Sequence, residues 1–359
     1  MCIRDRNNTR VNTLAEKLLA QDIELYRNTK DINVDNVTLQ SGEFYDSYTI
    51  PSGSMIIPNL QPEAPLIAAI LEFDADIDEA VLLEERQKRL KNGSSIMYDT
   101  TAFNFTMMYG LDALTVGENI ESNLVGWEPN QIISEITEDA VMWATDGIDD
   151  RSVAFAARMM EQDVEVRIVD KDAVLSGHKL SRGSVVVIAM DNPEINNLPD
   201  MIKVVSEELN IAIMSLESGF GPEELPDWGG RHFRLLEKPQ IAMLSHEGFN
   251  SYDVGVSLWS IDHHLGIRHS QLNASLASYG DLRRYNTIII PSGRSLNEYT
   301  LKILKDWVSQ GGTLIAHNSS TRSLASDKGI GSVKQFCLLY TSDAADEGLG
   351  VDLGGRRII

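Results

Sequence analysis

Two stretches of the chain share one pattern of apolar and polar positions. Ala15, Leu18 and Leu19, then Gln21-Asp22, then Ile23 and Leu25 match Ala156, Met159 and Met160, then Gln162-Asp163, then Val164 and Val166. Apolar residues at i, i+3 and i+4 predict the end of an amphipathic helix, and the alternation that follows predicts a strand. A second pair follows each copy: Ile50-Pro51-Ser52-Gly53-Ser54 leads into Met55-Ile56-Ile57, and Leu180-Ser181-Arg182-Gly183-Ser184 into Val185-Val186-Val187. Each reads as a Gly-Ser turn entering a buried strand. Helical stretches come next, Pro62 to Phe73 and Asn197 to Leu209. The order helix, strand, turn, strand, helix therefore occurs twice, about 130–141 residues apart. A duplicated small α/β unit explains the match; coincidence of two common patterns is the alternative.

Between the copies, Asp76 to Asn92 is charged and helical, and Asp99 or Thr100 is placed to cap a short helix that stops at Gly110. Asn119 to Ile132 reads as polar loop, Glu138 to Ala144 as the strand that opens the second copy, and the glycines of 219–221 and 229–230 as linker. From Pro239 the pattern becomes a regular wind. Strands are expected at Ile241–Leu244, Tyr285–Pro291 and Thr313–Ala316, and helices at Ser251–Leu265 and Leu296–Gln310. Uninterrupted apolar strands alternating with helices indicate a parallel sheet, with ligands expected at the carboxyl ends of its strands. The fold class expected is α/β: a duplicated small unit, then a truncated flavodoxin-like parallel-sheet domain.

Both ends read as translated library adaptor. Residues 1–6, Met-Cys-Ile-Arg-Asp-Arg, and 337–359, beginning Cys-Leu-Leu-Tyr-Thr-Ser, match the two strands of such an adaptor in the right orientation, and are set apart from fold reasoning. The alternative is a natural terminus of unusual sequence. The domain reading is then 1–6 adaptor, 7–135 first unit with a helical insert, 136–237 second unit, 238–336 parallel-sheet domain and 337–359 adaptor. Formal net charge is −22; the head carries +1 and the tail −2, leaving −21 between them. Such acidity, without a basic patch, argues against nucleic acid as a partner. No run of about 18 apolar residues suggests a membrane span. The two cysteines, Cys2 and Cys337, both fall in the terminal segments, so the body offers no disulfide and no thiolate chemistry.

Seven histidines are present, at 178, 232, 246, 263, 264, 269 and 317. None begins an H-x-x-E or H-E-x-x-H spacing, so no zinc motif is legible and each reads as an ordinary histidine. The adjacent His263 and His264 point about 100° apart on a helix and do not converge. Ser245-His246-Glu247-Gly248 follows the first strand of the last domain, and Pro291-Ser292-Gly293 follows a neighbouring one. His246, Glu247 and Ser292 are thus the candidate ligand-site residues; ordinary turn chemistry is the alternative. Ser319 and Ser320 follow the last strand, where a serine nucleophile could stand, but no G-x-S-x-G surrounds them.

Tyr98-Asp-Thr-Thr-Ala-Phe103, followed by Tyr109-Gly-Leu-Asp112, resembles a block of large bacterial zinc carboxypeptidase-like peptidases of the carboxypeptidase A family. Ile50 to Pro58 with Gln61-Pro62 is similar to their "GxYVVPxxQP" segment, and Lys238 to Leu244 with Gly255 and Trp259–Asp262 to the start of their class I glutamine amidotransferase-like domain. Phe103 stands where the pattern has tryptophan. The blocks run in order over nearly all of residues 10–330. The resemblance implies a periplasmic or extracellular parent that removes C-terminal residues from peptides with zinc-bound water and a glutamate base. It places the zinc ligands upstream of Asn7, so no catalytic or metal-binding residue is carried over and no cofactor is expected in this chain. It also implies an amidotransferase-like domain without its cysteine nucleophile. The competing reading is a stand-alone α/β ligand- or glycan-binding or scaffolding module. A serine hydrolase acting through Ser319 or Ser320 is the third.

Overall fold

A computed structural model describes residues 1–3, 5, 7–73, 78–93, 104–120, 122–129, 134, 136–222, 225–246, 248–273, 281–293, 295–325 and 330. Tyr98–Phe103, Glu247 and the 337–359 tail lie outside the described residues. By packing, the chain divides into two units: Met1–Ala156 with Val164–Leu235, and Ala157–Asp163 with the residues from Leu236 onward.

The first unit contains two copies of one topology. The first copy runs β1 (Cys2–Ile3), α1 (Asn8–Leu19), β2 (Tyr26–Asn28), β3 (Ile32–Leu39), β4 (Phe44–Ile50), β5 (Met55–Ile56), α2 (Ala64–Leu71), α3 (Glu79–Asn92), α4 (Phe105–Met108), β6 (Ala113–Val116) and β7 (Leu124–Gly126). The second runs β8 (Met142–Thr145), α5 (Arg151–Glu161), β9 (Val166–Val169), β10 (Ala173–Leu175), β11 (His178–Leu180), β12 (Val185–Ile188), α6 (Leu198–Leu209), β13 (Met214–Leu216) and β14 (Phe233–Leu235). The sheets are ordered β4-β3-β6-β1-β5-β2-β7 and β13-β8-β12-β9-β14. The shared core, β6-β1-β5-β2-β7 against β13-β8-β12-β9-β14, is therefore the same. In the second copy β8 and β9 both run antiparallel to the β12 between them, the split β-α-β arrangement of ferredoxin-like folds. Each copy adds one edge strand beyond its second strand and inserts a hairpin, β3–β4 or β10–β11.

Backbone detail repeats with the topology. Asp22 and Asp163 both take positive φ, 59° and 62°, and close the preceding helix through hydrogen bonds to Leu19 O and Met160 O. Short polar side chains tolerate this left-handed conformation better than most. Gly53 and Gly183 sit at φ 85° and 93°. Each donates its N–H to the end of the second strand, Asn28 O and Val169 O, and each following serine closes the turn, Ser54 Oγ on Pro51 O and Ser184 Oγ on Ser181 O. The copies meet where their first helices begin. Asn7 caps α1 by accepting from Arg10 N and donates Nδ2 to Ile148 O at 3.0 Å. Thr9 Oγ1 donates to Asp149 at 2.6 Å, and Arg10 grips Asp150 with two hydrogen bonds at 2.6 and 2.9 Å.

Several expectations are corrected. Residues 1–6 are not wholly outside the fold: Cys2–Ile3 pairs with β5 on one side and β6 on the other. Backbone pairing takes any alternating pair, and here Cys2 and Ile3 fill opposite faces of the sheet. The helix ending before Gly110 is capped by Asn104, which accepts from Met107 N at 2.8 Å and donates to Leu71 O and Glu72 O. The stretch read as loop holds β7, which pairs with β2. The stretch read as linker is packed in part: Gly219 is buried against Trp228, Gly229 and Gly230 are exposed, and β14 follows and pairs with β9.

The second unit holds β15 (Ile241–Ser245), α7 (Ser251–Trp259), β16 (His269–Asn273), β17 (Thr287–Ile290), α8 (Glu298–Ser309), β18 (Thr313–Ala316) and α9 (Thr321–Leu324). Its four strands are all parallel, in the order β16-β15-β17-β18. In chain order this is 2-1-3-4, the beginning of a flavodoxin-like wind, and the carboxyl ends of β15, β17 and β18 lie side by side. The fold class is α/β, as the sequence pattern indicates. Trp307 closes the core between helix and sheet, its indole N–H on Leu282 O at 3.0 Å. Among the described residues no helix is long and apolar enough to cross a membrane.

The turn into the third strand supplies a test. A Cβ on Gly147 would lie 2.1 Å from the Gly183 carbonyl carbon and 2.3 Å from Ser184 N, both backbone atoms that cannot swing aside. A Cβ on Gly183 meets nothing closer than 3.7 Å and pays only for its positive φ. Gly183→Ala is expected to cost roughly 1–2 kcal/mol, and Gly147→Ala more than about 3 kcal/mol, read as shifts in urea-unfolding midpoint. Equal costs for the two would mean that the close approach does not exist in solution.

Candidate functional site

The candidate residues gather at the carboxyl edge of the parallel sheet. His246 leaves β15 with φ 76°, a left-handed conformation unusual for a side chain of its size. Its Nδ1 lies 2.7 Å from Ser245 Oγ, and Ser245 is only 2% exposed. Ser292 follows β17, is 7% exposed, and lies 2.7 Å from Ser319 Oγ. The loops after β15 and β17 run against each other: Phe249 pairs with Gly293, Phe249 N donates to His246 O, and Asn250 N donates to Ser292 O at 2.8 Å. The approach needs glycine at 293, where a Cβ would meet Phe249 Cδ1 at 2.6 Å. The loops carrying His246 and Ser292 are thus adjacent, and their side chains bind different partners. Glu247 is outside the described residues.

Proton bookkeeping shows what the hydroxyls can do. Ser319 Oγ donates to Gly293 O at 3.0 Å and accepts from Gly293 N at 3.0 Å. A hydroxyl has one proton, so Ser292 must be the donor in the pair at 2.7 Å. Ser320 Oγ donates to Pro291 O and is 1% exposed. The Ser319 and Ser320 hydroxyl protons are thereby used to tie that loop to the loop after β17. Ser257 Oγ gives its proton to Asp253 O at 2.8 Å, which leaves His317 Nε2, 3.4 Å away, as donor rather than base. Among the described residues at this edge, Ser245 is the serine set against an otherwise uncommitted histidine nitrogen, and its burial closes it to a substrate. The cluster acts as a polar lock.

A strand, one strained residue and a helix end mark an elbow after β18. Asn318 holds φ 55° and is followed directly by helical turns through Leu324. Elbows of this kind present a nucleophile in hydrolases and amidotransferases. Here the residue is asparagine, whose amide is not one. Sequence reading directed attention to the serines; the backbone strain at Asn318 was legible only as an asparagine after a strand.

Zinc is implied by the resemblance, and the donor set does not fit it. His232 Nδ1 pairs with Asp170 at 2.7 Å, His269 Nδ1 with Asp262 at 3.3 Å, and His246 with a serine. Among the described residues no three His, Cys, Asp or Glu side chains converge. The Cys2 thiol, pushed up to about 11 by burial, stays protonated at neutral pH. A cavity of about 700 Å³ lies away from this edge, in the first copy, where Leu39, Tyr48, Ile50 and Leu114 meet Gln40 and Asp112. No family model, curated protein or solved structure matches the chain.

The lock predicts two outcomes. Ser319→Ala leaves the half-buried Gly293 N–H without its acceptor and is expected to cost about 1 kcal/mol in chemical denaturation. A fluorophosphonate probe is expected to leave the native protein unlabelled; labelling that disappears in Ser319→Ala would show a reactive serine instead of a structural one.

Proposed function

We propose that this chain is part of the non-catalytic body of a secreted zinc metallocarboxypeptidase-like protein, whose zinc ligands and glutamate base stand upstream of Asn7. The parent would hydrolyse C-terminal peptide bonds, and the residues described here would carry and position that machinery. The observation that carries the reading is the elbow after β18: an amidotransferase-like sheet in the 2-1-3-4 order ends on Asn318, and its neighbouring serines are spent on structure. Support also comes from the ordered run of sequence blocks between Ile50 and Asp262. A second reading, a ligand- or glycan-binding α/β module, draws on the cavity in the first copy, whose mixed apolar and polar wall suits a small amphipathic molecule.

The gene separates the two. The peptidase reading requires an H-x-x-E and a later histidine encoded upstream of Asn7, behind an export signal. A gene that opens near Asn7 without them would leave the binding module standing. On the protein itself, zinc titration is expected to show no stoichiometric site, and mass spectrometry no loss of C-terminal residues from test peptides. One equivalent of tightly bound zinc would overturn the assignment of this chain as non-catalytic.

A further inference from the structure

The second copy carries an apolar cleft of about 320 Å³, walled by Val141, Met142, Ile188, Met190, Phe220 and Trp228. Two of these side chains are displayed on the surface instead of being packed: Phe220 is 77% exposed and Met190 76%. Large apolar groups so exposed beside a concave apolar wall are the usual sign of a docking surface. The loop that presents Phe220 is fixed before any partner arrives. Ser218 N donates to Ser176 Oγ at 3.0 Å and Ser176 Oγ donates to Ser218 O at 3.1 Å. Trp228 N donates to Gly219 O at 3.1 Å, and Gly221 N to Asp227 Oδ1 at 2.6 Å. Gly219 lies flat on the indole, where a Cβ would come within 1.8 Å of Trp228 Cδ1. Phe220 is therefore held out by structure, and little ordering entropy remains to be lost on binding.

The rim is acidic. Glu217 is exposed at the cleft, Glu138 and Asp139 are exposed in the segment immediately before Ala140, and no lysine or arginine is among the described residues that line the cleft. The whole chain carries −22. The first copy has a counterpart at the same place. Sheet register sets Met55 and Ile56 against Val185 and Val186, and Leu114 against Met214. Continuing both chains brings Pro58 and Leu60 onto Ile188 and Met190, and Ile120 onto Phe220. A cleft of about 200 Å³ lies there, with Leu60 80% exposed. Its rim acid is engaged, Glu118 Oε1 accepting from Asp35 N at 2.9 Å. The cleft belongs to the topology; the glycine-pinned phenylalanine and free acidic rim belong to the second copy.

We propose that the cleft of the second copy docks a cationic, apolar peptide segment. An aromatic or branched side chain seats between Phe220 and Met190, and flanking lysines or arginines face Glu217, Glu138 and Asp139. An anionic lipid surface is disfavoured by the same rim. The surface stands independently of the peptidase reading, because its chemistry uses no zinc and no upstream residue.

Fluorescence anisotropy on the whole chain tests this, with a labelled Lys-Lys-Leu-Phe-Lys-Lys peptide as probe. Saturable binding is expected, weaker by about tenfold or more for Glu-Glu-Leu-Phe-Glu-Glu and for Lys-Lys-Ser-Ser-Lys-Lys. Phe220→Ala is expected to weaken it by about tenfold, and Glu217→Gln to weaken it several-fold and flatten its salt dependence. Both residues are exposed, so circular dichroism of the variants should match the parent. Met190→Ser serves as a second lesion on the opposite wall. Unchanged affinity in Phe220→Ala and Met190→Ser, or equal binding of the acidic peptide, would overturn the proposal. So would dimerisation in sedimentation that Phe220→Ala abolishes, since the occupant would then be a second copy.

Discussion

Everything in the first unit depends on how the chain enters its third strand. In both copies a glycine at positive φ donates to the end of the second strand, and the next residue, a serine, folds its hydroxyl back over the turn. That pair of contacts fixes the third strand beside the second at a set register, so its other edge is left open for the first strand. The only way to supply that strand is from across a helix, which yields the split arrangement. In the second copy the constraint tightens further: Ser184 Oγ also accepts Gly147 N at 3.1 Å, binding the exit of the first strand to the same turn. One small turn thus touches three of the five core strands. A side chain at Gly147 would therefore strike the backbone of that turn and disturb the sheet, where one at Gly183 meets only its own positive φ.

The parts of this fold legible in the sequence are those in which one residue has one physical job. Asp22 and Asp163 end helices in a conformation that few residues accept, and Gly53 and Gly183 enter strands in one that favours glycine, so the repeat shows even where its apolar residues differ. The parallel sheet shows because strands buried on both faces must be apolar throughout, as Ile241–Leu244 are. What failed to show is what depends on partners distant in the chain. The edge strands β7 and β14 are three residues each and half exposed, too short to carry a period. The hairpin β3–β4 hides its own alternation: Asn36 at φ 55° switches the buried face, so that Val34 and Val37, three apart, are both inside. Strand β1 is two residues long and has no pattern at all; the slot between β5 and β6 defines it.

The candidate site divides along the same line. Strand order alone located His246 and Ser292 at the carboxyl edge, because a parallel wind can place its loops nowhere else. It could not tell whether those side chains were free. That depends on how each hydroxyl proton is spent, and Ser292, Ser319 and Ser320 spend theirs on neighbouring oxygens of Ser319, Gly293 and Pro291. A serine after a strand is a nucleophile or a clasp according to one hydrogen bond, and composition is silent on it. Asn318 makes the same point from the other side, since it takes a left-handed turn between a strand and a helix while its amide is no nucleophile.

A duplicated topology separates what a fold must have from what a protein does with it. Both copies leave a cleft at the entry of the first strand, between the exits of the third and fourth strands that flank it, at Pro58 and Ile120 in one and at Ile188 and Phe220 in the other. Two clefts at one topological position are a consequence of strand order and carry no functional meaning by themselves. The difference between them does. Filling or narrowing the second would have been easy: a residue other than glycine at 219 would have displaced Trp228, and a polar residue at 220 would have removed the exposed ring. Instead glycines and four hydrogen bonds hold the loop with a phenylalanine exposed to water, and the proposed docking surface rests on that difference between the copies.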